Sequence, residues 1–535
     1  MGLVVGGSLS RGVEVRLDPA FPVEQVKVGS FVTIQGEQQR FFGIVSDIAL
    51  ETSDPFLRAA PPGASEPFIA SALAGVGAFA IAQVLPQLAL GTDALSILEG
   101  PQPARSIPAH FAPVHQASEQ DIQTVFGQED HRHLWIGSPL DMEGTRVCLD
   151  LGELVKRSNG VFGKSGTGKT FLTRILLAGI LQKSVAVNLV FDMHNEYGWQ
   201  GTREEGPTVK GLKQLFPSSV AVFSLDPDSS RRRGLSPDAQ VRIGYGEIEP
   251  EDIVVLEETL NLTPQGVQAV YSLVRRFGQE AWLAEFLARE SREALATLAE
   301  ETNEVFPVLF TLHRRLRTLG RMPFLTSNPP ESAVDRVLEY LDRGTHVVLE
   351  FGRYQDDLPA YILVTNLLTR RIHERYVQRS EAAMGDRARE PRPLLITIEE
   401  AHRFLTPTVA SQTIFGTIAR EMRKYRVTLL VVDQRPSGID DEVLSQLGTR
   451  FVYLLDNERD VDAVLAGASG ARELRTVLSR LESRQQALIF GHALPMPMVV
   501  RTREYGSEAS YREWGFREAA ELQKQLEQDA RDLFG

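Results

Sequence analysis

Apolar residues in the first hundred positions fall into short runs that are rich in β-branched and aromatic side chains. The clearest runs are VEVRLD, SFVTIQ and FFGIVSDIALE, and Gly, Pro or polar turns separate them. Short strands punctuated in this way are typical of a small barrel. The pattern therefore predicts an N-terminal β-barrel over residues 1–115.

One stretch within this region, FIASALAGVGAFAIAQVLPQLAL at 68–90, contains no charged residue. A membrane-spanning helix needs about 20 predominantly apolar residues. Here Gln83, Pro86 and Gln87 interrupt the run, which is also rich in Ala and Gly. We therefore predict an Ala-rich insertion over residues 60–93, folded as a buried or subunit-contacting hairpin, and no membrane partner.

From about Ile136 onward, strand-like runs alternate with helical ones. The runs GVFG, AVNLVFD, THVVLEF, LLITIEE and VTLLVVDQ are nearly continuous in apolar character. Such strands fit a parallel sheet that is covered on both faces by helices. This predicts an α/β core in two parts, residues 116–248 and residues 339–505.

The intervening residues 249–338 carry apolar side chains at spacings of three and four, which indicates helices. We predict a helical bundle inserted into the α/β core. The last segment, residues 506–535, is charged and amphipathic, which favours a solvated or subunit-bracing helical tail.

Composition and charge place the chain among ordinary globular proteins. Of the 535 residues, 57 are Lys or Arg and 70 are Asp or Glu, so the formal net charge is −13. This acidity disfavours non-specific coating of nucleic acid, although it leaves a local basic channel open. Cys148 has no partner for a disulfide within the chain, and the N-terminus lacks the pattern of a signal peptide. We therefore expect a cytoplasmic protein.

The segment GKSGTGKT at 163–170 matches the phosphate-binding pattern G-x-x-x-x-G-K-[ST] between a short strand and a helix. Its glycines let backbone N–H groups converge on phosphate oxygens, beside the positive end of the helix dipole. Lys169 is expected to reach the β- and γ-phosphates, and the Thr170 hydroxyl to ligate Mg²⁺. The expected nucleotide contacts are Gly163, Lys164, Ser165, Gly166, Thr167, Gly168, Lys169 and Thr170.

A nucleotide hydrolase of this class needs a second strand that ends in carboxylates, and PLLITIEEAH supplies one. Glu399 is expected to hold the Mg²⁺ shell, and Glu400 to polarise the attacking water as general base. The alternative is two exposed acids at the start of a helix, favoured by the helix dipole. A third strand, VTLLVVDQR, ends near Gln434, whose amide is expected to contact the γ-phosphate or the water unless it is a simple strand cap.

Five segments in order along the chain are similar to the HerA family of hexameric DNA-translocating ATPases in the FtsK–HerA group. They are GKSGTGKT, FDMHNEY, LLITIEEAHRFL, REMRKYRVTLLVVDQRPSGIDDEVLSQLGTRFVYLL and ALIFGHALPMPMVV. The resemblance implies a RecA-like P-loop core with an inserted helical bundle. It also implies that the N-terminal strands form that family's HAS-barrel, and that ATP and Mg²⁺ are the cofactors.

The same resemblance implies roles for individual residues. Glu400 matches the family's catalytic glutamate and Gln434 its sensor. Asp192 and Glu196 match a D-x-H-x-E-Y pattern, although Met193 and Asn195 replace the family's usual Pro and Gly. Three residues match arginines that approach a neighbouring subunit's nucleotide, unless they are ordinary helix-surface arginines: Arg157, Arg420 and Arg423.

The function that this resemblance implies is ATP-driven translocation of double-stranded DNA through the pore of a homo-hexamer. Arg231, Arg232 and Arg233 lie in a loop-like segment and are the preferred DNA contacts; the arginines at 314–321 follow helical spacing and favour a solvated face. The family commonly docks a NurA-type nuclease on the barrel face for DNA-end processing, repair or defence. The alternatives are a scaffold ATPase of a defence complex, and an AAA+-type remodelling ATPase; strands after Gln434, where AAA+ proteins have a helical lid, disfavour the latter.

Overall fold

A computed structural model of the chain describes residues 1–63, 65, 67–74, 76–201, 208–386, 389–410, 413–421, 424–482 and 485–515. An N-terminal barrel precedes a large α/β sheet whose strands are interrupted by a helical segment. The α/β class with a small N-terminal barrel and an inserted bundle, expected from the strand and helix patterns, is confirmed.

The barrel is a closed antiparallel sheet. Its strands are β1 (Gly2–Ser8), β2 (Gly12–Leu17), β3 (Phe31–Gln35), β4 (Gln39–Thr52), β5 (Ala78–Gly91), β6 (Gln102–Pro103) and β7 (Pro113–Gln116). They are ordered β2-β1-β7-β3-β4-β5-β6, and β2 also pairs with β5, which closes the barrel. Alternate residues such as Val13, Val15 and Val84 point inward and are fully buried, as the two-residue period of a strand requires.

The prediction of an Ala-rich insertion over residues 60–93 was wrong for its second half. That half is β5, which pairs with β4 from Gly91 back to Ala78 and is part of the barrel wall. Pro86 lies where the register between the two strands shifts, and such an irregularity tolerates the missing N–H of a proline. Short helices accompany the barrel, namely α1 (Pro55–Ala59), α2 (Pro67–Leu73) and α3 (Ala94–Glu99), and α4 (Glu119–Phe126) begins the α/β core.

The α/β core is built on a single large sheet. Its strands are β8 (His133–Pro139), β9 (Val147–Asp150), β10 (Asn159–Phe162), β11 (Val187–Asp192), β12 (Val220–Ser224), β13 (Ala239–Gln240), β16 (His346–Glu350), β17 (Leu394–Glu399), β18 (Val427–Asp433), β19 (Thr449–Val452), β20 (Gln486–Gly491) and β21 (Met498–Thr502); β14 (Ile243–Gly244) and β15 (Leu325–Thr326) form a separate pair. The order is β13-β12-β16-β11-β17-β18-β10-β19-β20-β21-β8-β9.

Strands from β13 to β19 run parallel, and those from β19 to β9 run antiparallel. The carboxyl ends of β10, β11, β17 and β18 therefore meet at one edge of the sheet, where ligands bind in open parallel sheets. Strands β19, β20 and β21 are the ones expected after Gln434.

Helices cover the sheet and form the insert. Those before the insert are α5 (Leu151–Leu154), α6 (Lys169–Lys183), α7 (Leu212–Leu215) and α8 (Pro227–Arg232). The insert contains α9 (Pro250–Val254), α10 (Glu257–Leu260), α11 (Pro264–Phe277), α12 (Trp282–Leu287), α13 (Arg292–Thr302), α14 (Phe306–Leu319) and α15 (Ala333–Asp342). Those after it are α16 (Leu358–Ala382), α17 (Ile414–Glu421), α18 (Asp441–Gln446), α19 (Glu458–Leu465), α20 (Ala471–Leu478) and α21 (Glu508–Glu513).

The helical insert has its own apolar interior and an ionic attachment to the core. Trp282 and Phe286 of α12 are fully buried, and the Trp282 indole donates to the carbonyl of Ile248 at 2.9 Å. On α16, Arg370 pairs with Asp252 at 2.7 Å and with Glu249 at 2.6 Å. Truncating Arg370 would leave a buried carboxylate unpaired, so this contact fixes where the bundle meets the sheet.

The barrel packs against the core through aromatic and polar contacts. Phe31 of β3 stacks on Phe42 of β4 and meets the edge of Phe126 on α4. Asp141 accepts from the Lys27 ammonium and the Ser30 hydroxyl, each at 2.6 Å. Phe31, Phe42 and Phe126 therefore belong to the same buried apolar cluster as the strands of the core.

The predicted tail over residues 506–535 begins with α21, and its residues 516–535 lie outside the described part of the chain. Among the described residues, none of the helices combines the length and the apolar composition that a membrane crossing requires.

A buried histidine makes the folded state sensitive to acid. Nδ1 of His346 accepts the backbone N–H of Asn188 at 3.1 Å, which requires that nitrogen to be unprotonated. Burial, with a smaller effect of the Arg392 charge, lowers the pKa of His346 from 6.5 to about 4. The unfolded chain therefore takes up this proton first, so stability that is present above pH 6.5 is lost as the pH falls toward 4.

We expect His346→Asn, which keeps an acceptor near Nδ1 but does not titrate, to reduce this acid sensitivity. Both proteins lose stability when the pH is lowered from 7 to 4.5. The loss in the free energy of unfolding should be smaller in the variant than in wild type, by about 2–3 kcal/mol. Urea denaturation at the two pH values measures the difference, and equal losses in both proteins would contradict the assignment.

Candidate functional site

The loop of residues 163–168 joins the end of β10 to the start of α6, in the strand–loop–helix setting expected from the sequence. Gly163, Gly166 and Gly168 have φ values of 152°, 77° and 112°, in the region that disfavours other residues. A Cβ atom at Gly163 would lie 2.6 Å from the Cβ of Tyr453, so a side chain there is excluded by space as well. The loop therefore exposes backbone N–H groups at the amino end of α6.

Lys169, the first residue of α6, is curled over this loop. Its ammonium donates to the carbonyls of Gly163 at 2.6 Å and Lys164 at 2.9 Å. Burial lowers the pKa of Lys169 to about 8, while the carboxylates of Glu400, Asp433 and Glu399 act in the opposite direction. A buried cation beside a ring of N–H groups is suited to an anion with several charged oxygens.

A cavity of about 640 Å³ opens above the loop. It brings together groups from five separate parts of the chain. They are residues 165–171 with Arg174, His194 with Glu196, Glu399 with Glu400, Val432 with Asp433 and Gln434, and Gln485 with residues 502–505. The predicted phosphate loop, carboxylates and sensor amide thus line one space, as adjacent carboxyl ends of parallel strands require.

Glu399 ends β17 and is almost fully buried. Its Oε1 accepts from the Tyr197 hydroxyl at 3.0 Å, and its Oε2 has no hydrogen-bond partner among the described residues. Burial raises the pKa of Glu399 to about 8, with smaller effects of Asp192 and Glu196 in the same direction. A carboxylate oxygen without a partner, in a cavity that Thr170 also lines, fits the ligand set expected for Mg²⁺.

Glu400 follows in a left-handed conformation, with φ 49°. This conformation is costly for a residue with a side chain, and it ends β17 abruptly. Its Oε1 accepts from the amide of Gln434 at 3.2 Å, so the two residues predicted to act on the water are in contact.

Two residues of this cluster escaped sequence reasoning. Asp433 is the last residue of β18, and its carboxylate accepts from the backbone N–H of His402 at 2.7 Å and of Arg435 at 2.6 Å. The ring Nδ1 of His402 lies 3.0 and 3.2 Å from the two oxygens of Asp433. Only their position in the sequence could have pointed to them, because each lies within two residues of a predicted site residue.

The loop after β11 supports Glu399 from the other side. Asp192 is fully buried and accepts the backbone N–H groups of Glu196, Tyr197 and Gly198 at 2.7, 2.8 and 3.0 Å. Burial raises the pKa of Asp192, and those three hydrogen bonds oppose the shift. Asn195 has a positive φ of 57° in the place where the resembled pattern has Gly, so the loop keeps a left-handed turn.

The candidate finger arginines lie outside the chain's own cavity where they are described. Arg157 precedes β10 and packs closely on Gly448. A Cβ atom added to Gly448 would lie only 2.6 Å from the Cβ of Arg157. β10 separates Arg157 from the phosphate loop, so Arg157 occupies the opposite edge of the sheet. Arg420 donates to the carbonyl of Ala410 at 3.3 Å and lies 3.7 Å from Glu442. Arg423 lies outside the described residues.

Arg231 and Arg232 are helical, contrary to the prediction of a loop, and Arg233 follows the helix as its C-terminal cap. Arg231 and Arg232 end the short helix α8, which Asp226 caps by accepting from the N–H of Ser229. Both side chains are exposed, and Arg231 pairs with its neighbour on the same helix, Asp228.

Arg233 differs from the other two arginines. Its guanidinium pairs at 2.9 Å with Glu350, a fully buried carboxylate at the end of β16. Burial raises the pKa of Glu350 to about 7, aided by Asp192 and opposed by Arg233. Arg233 therefore has an ionic partner within the chain, which Arg231 and Arg232 do not share.

Two known families match the chain. The family described as "Helicase HerA, central domain" matches residues 134–372, and the HAS barrel domain matches residues 1–61. The first range contains the phosphate loop and the helical insert, and the second contains the first four barrel strands.

Known relatives carry related names. The probable DNA double-strand break repair helicase HerA of Methanocaldococcus jannaschii is 31% identical over 408 residues, which cover 69% of this chain and 76% of that protein. The DNA double-strand break repair helicase HerA of Pyrococcus furiosus is 26% identical over 407 residues, 72% of each chain.

Among solved structures, VirB4 of Thermoanaerobacter pseudethanolicus is 14% identical with a TM-score of 0.45, covering 70% of this chain and 98% of that one. The plasmid coupling protein TrwB in complex with ADP and Mg²⁺ is 13% identical with a TM-score of 0.42, covering 72% of this chain and 98% of that one.

Proposed function

The chain belongs to the HerA helicase family, and we propose that it is a motor that hydrolyses ATP to move along double-stranded DNA. The single observation that carries the proposal is the shared cavity, in which the phosphate loop, two carboxylates and a sensor amide face one another. Each of these groups suits one part of phosphoanhydride hydrolysis.

The residues divide the chemistry among themselves. Backbone N–H groups of residues 163–168 and the Lys169 ammonium bind the phosphates, in place of the loop carbonyls that Lys169 now contacts. Thr170 and Glu399 would hold Mg²⁺, and the ion would neutralise phosphate charge during hydrolysis. Glu400 accepts a proton from the attacking water, and Gln434 orients that water and the γ-phosphate.

The part of the cavity at Phe171 is suited to the adenine base. Phe171, Gln485 and Glu504 line the cavity, whereas the ring of Tyr505, 6.3 Å from that of Phe171, is 3% exposed and packs on Arg174 and Tyr511. Aromatic faces bind a purine by stacking, and polar side chains read its edge. We assign this end of the cavity to the base of ATP.

The active unit is a homo-hexameric ring in which one subunit completes the site of the next. Arg157 faces the edge of the sheet opposite the subunit's own cavity, and Arg420 also lies outside that cavity. An arginine that serves a neighbour's nucleotide must be remote from its own, and these positions meet that condition. Together with Arg423, they are the candidates for neutralising transition-state charge across the subunit boundary.

Arg231 and Arg232 contact the DNA phosphates. They follow β12 at the same sheet edge as the phosphate loop, so changes at the nucleotide can reach them through the strands. Both are exposed cations on an otherwise acidic chain, and phosphate contacts need no particular base sequence.

Charge reversal tests this assignment. The double variant Arg231→Glu with Arg232→Glu is expected to weaken duplex binding and to reduce DNA stimulation of ATP hydrolysis by roughly tenfold or more, because two phosphate contacts per subunit are lost. The matched control is Arg314→Glu with Arg317→Glu, an equal charge change on the exposed face of α14. Loss of DNA stimulation in the control and not in the α8 variant would contradict the proposal.

The barrel face is the docking site for a nuclease partner, of the NurA type by family resemblance. Of the sixteen large apolar side chains that are exposed in the described residues, twelve lie between Leu3 and Phe111. Phe56 and Phe68 are 68% and 84% exposed, on helices at the end of the β4–β5 hairpin. Clustered exposed apolar groups of this kind mark protein–protein contacts. The relatives' names favour double-strand break repair as the setting.

Replacing both aromatic residues, with Phe56→Asp and Phe68→Asp, is expected to weaken binding of a NurA-type nuclease at least about tenfold. Val305→Asp with Phe310→Asp places the same charges on exposed apolar sites of the bundle and serves as the control. Sedimentation of the mixed proteins measures the effect, and equal binding by both double variants would contradict docking at the barrel.

A further inference from the structure

The carboxylate of Glu400 is held between two side chains. Its Oε1 accepts from Gln434 at 3.2 Å, and its Oε2 lies 3.5 Å from Nδ1 of His402. The same Nδ1 lies 3.0 Å from Asp433, the residue directly before Gln434. Glu400 is thus hydrogen-bonded to the end of β18 through Gln434. Its other oxygen has a longer contact with the Nδ1 of His402, whose single hydrogen is shared with the nearer carboxylate of Asp433.

His402 is itself fixed in place. Its side chain is 15% exposed, and its backbone N–H donates to the same Asp433 carboxylate at 2.7 Å. Asp433 is fully buried and also accepts from the N–H of Arg435, so it cannot follow a movement of the ring. A Cβ at Gly438 would lie 3.2 Å from the Cβ of His402, which limits the space on the other side.

We propose that His402 is a positioning residue for Glu400, fixing the direction of its carboxylate by linking it to Asp433. The need for such a residue follows from the local backbone, because Glu400 stands on a left-handed turn with its side chain 27% exposed. A glutamate has three side-chain torsions, and one contact with Gln434 leaves its second oxygen free to rotate. A general base must point at the water within hydrogen-bond distance, so the second contact preserves the reactive geometry.

The inference rests on the proposed function, in which Glu400 is the general base. It adds a consequence for the sensor strand. Gln434 and Asp433 are consecutive residues, so a displacement of the end of β18 reaches Glu400 through Gln434 and through His402 together. Glu400 is therefore coupled to the position of β18 by the hydrogen bond from Gln434 and by the longer contact with His402.

Three substitutions separate positioning from packing. In the His402→Asn variant, the side-chain amide nitrogen can take the position of Nδ1. In the His402→Gln variant, the amide nitrogen lies near the position of Nε2 instead. The His402→Ala variant has no side-chain nitrogen at either position. We expect kcat for ATP hydrolysis to fall roughly 10- to 100-fold in the Ala and Gln variants and less than about threefold in the Asn variant. The KM for ATP and the Kd for a fluorescent ATP analogue should change less than about twofold in all three.

Several results would overturn the inference. They are an Ala variant with wild-type kcat, an Asn variant as impaired as the Gln variant, and losses confined to KM. If the Ala variant does not fold, the comparison of Asn with Gln decides alone, since both keep a polar side chain. Glu400→Gln is measured in parallel. If this variant retains hydrolysis, both the assignment of Glu400 as general base and the inference about His402 are wrong. If Glu400→Gln is inactive and His402→Ala is unimpaired, only the inference about His402 is wrong.

Discussion

Replacing Glu400 by glutamine is expected to lower kcat for ATP hydrolysis by about 10²- to 10⁴-fold, the range that general-base catalysis contributes. Glutamine has nearly the same size and can still contact Gln434, but it cannot accept the proton of the attacking water. Because the phosphates are bound by the glycine loop and Lys169, the Kd for ATP should change little. Steady-state hydrolysis and equilibrium ATP binding, measured on the same preparations, check both statements.

The control for this substitution is Glu458→Gln, which makes the same chemical change at an exposed position in the first turn of α19. It should leave kcat and KM unchanged. A Glu400→Gln variant that hydrolyses ATP within about tenfold of wild type would be incompatible with general-base catalysis by Glu400. Glu399 would then be the alternative carboxylate in the cavity.

Replacing Lys169 by alanine is expected to abolish measurable ATP binding, with the Kd rising by about 100-fold or more. The estimate follows from losing charge-assisted hydrogen bonds to phosphate, worth about 1.5–3 kcal/mol each. The loss is enhanced by burial, which already lowers the pKa of Lys169 and strengthens its interaction with a bound anion. Titration with a fluorescent ATP analogue measures the Kd directly.

Lys183→Ala serves as the control, because Lys183 is at the other end of the same helix and pairs with Glu129 at 3.7 Å. It should bind ATP as wild type does. If the Lys169→Ala variant binds ATP as tightly as wild type, the glycine loop is not the phosphate site.

The conformation of the glycine loop in the candidate site was predictable because backbone chemistry dictates the spacing of its glycines. Three glycines at positive φ and a lysine at the start of α6 leave few other structures open to GKSGTGKT. The carboxylates were found for a related reason, since a buried strand that ends in Glu399 and Glu400 places them at a known sheet edge.

Other features depend on contacts between distant parts of the chain. From the sequence alone, the alanines of β5 suggest an apolar insertion. In the structure β4 and β2 pair with β5 on its two sides, so β5 is part of the barrel. The three arginines at 231–233 were predicted as one set of DNA contacts, whereas Glu350, more than a hundred residues later, pairs with Arg233. His402 and Asp433 acquire their meaning only when β17 and β18 lie side by side. In each case the partner is non-local, so local patterns could not reveal it.

The central claim is that ATP hydrolysis moves this protein along duplex DNA, and displacement of a third strand from a linear duplex tests it most directly. A short triplex-forming oligonucleotide, placed far from the free end, is released when a motor moves along the duplex beneath it. Wild type is predicted to release the oligonucleotide with ATP, and to fail with a non-hydrolysable analogue or as Glu400→Gln. DNA-stimulated hydrolysis without any release of the oligonucleotide would contradict translocation.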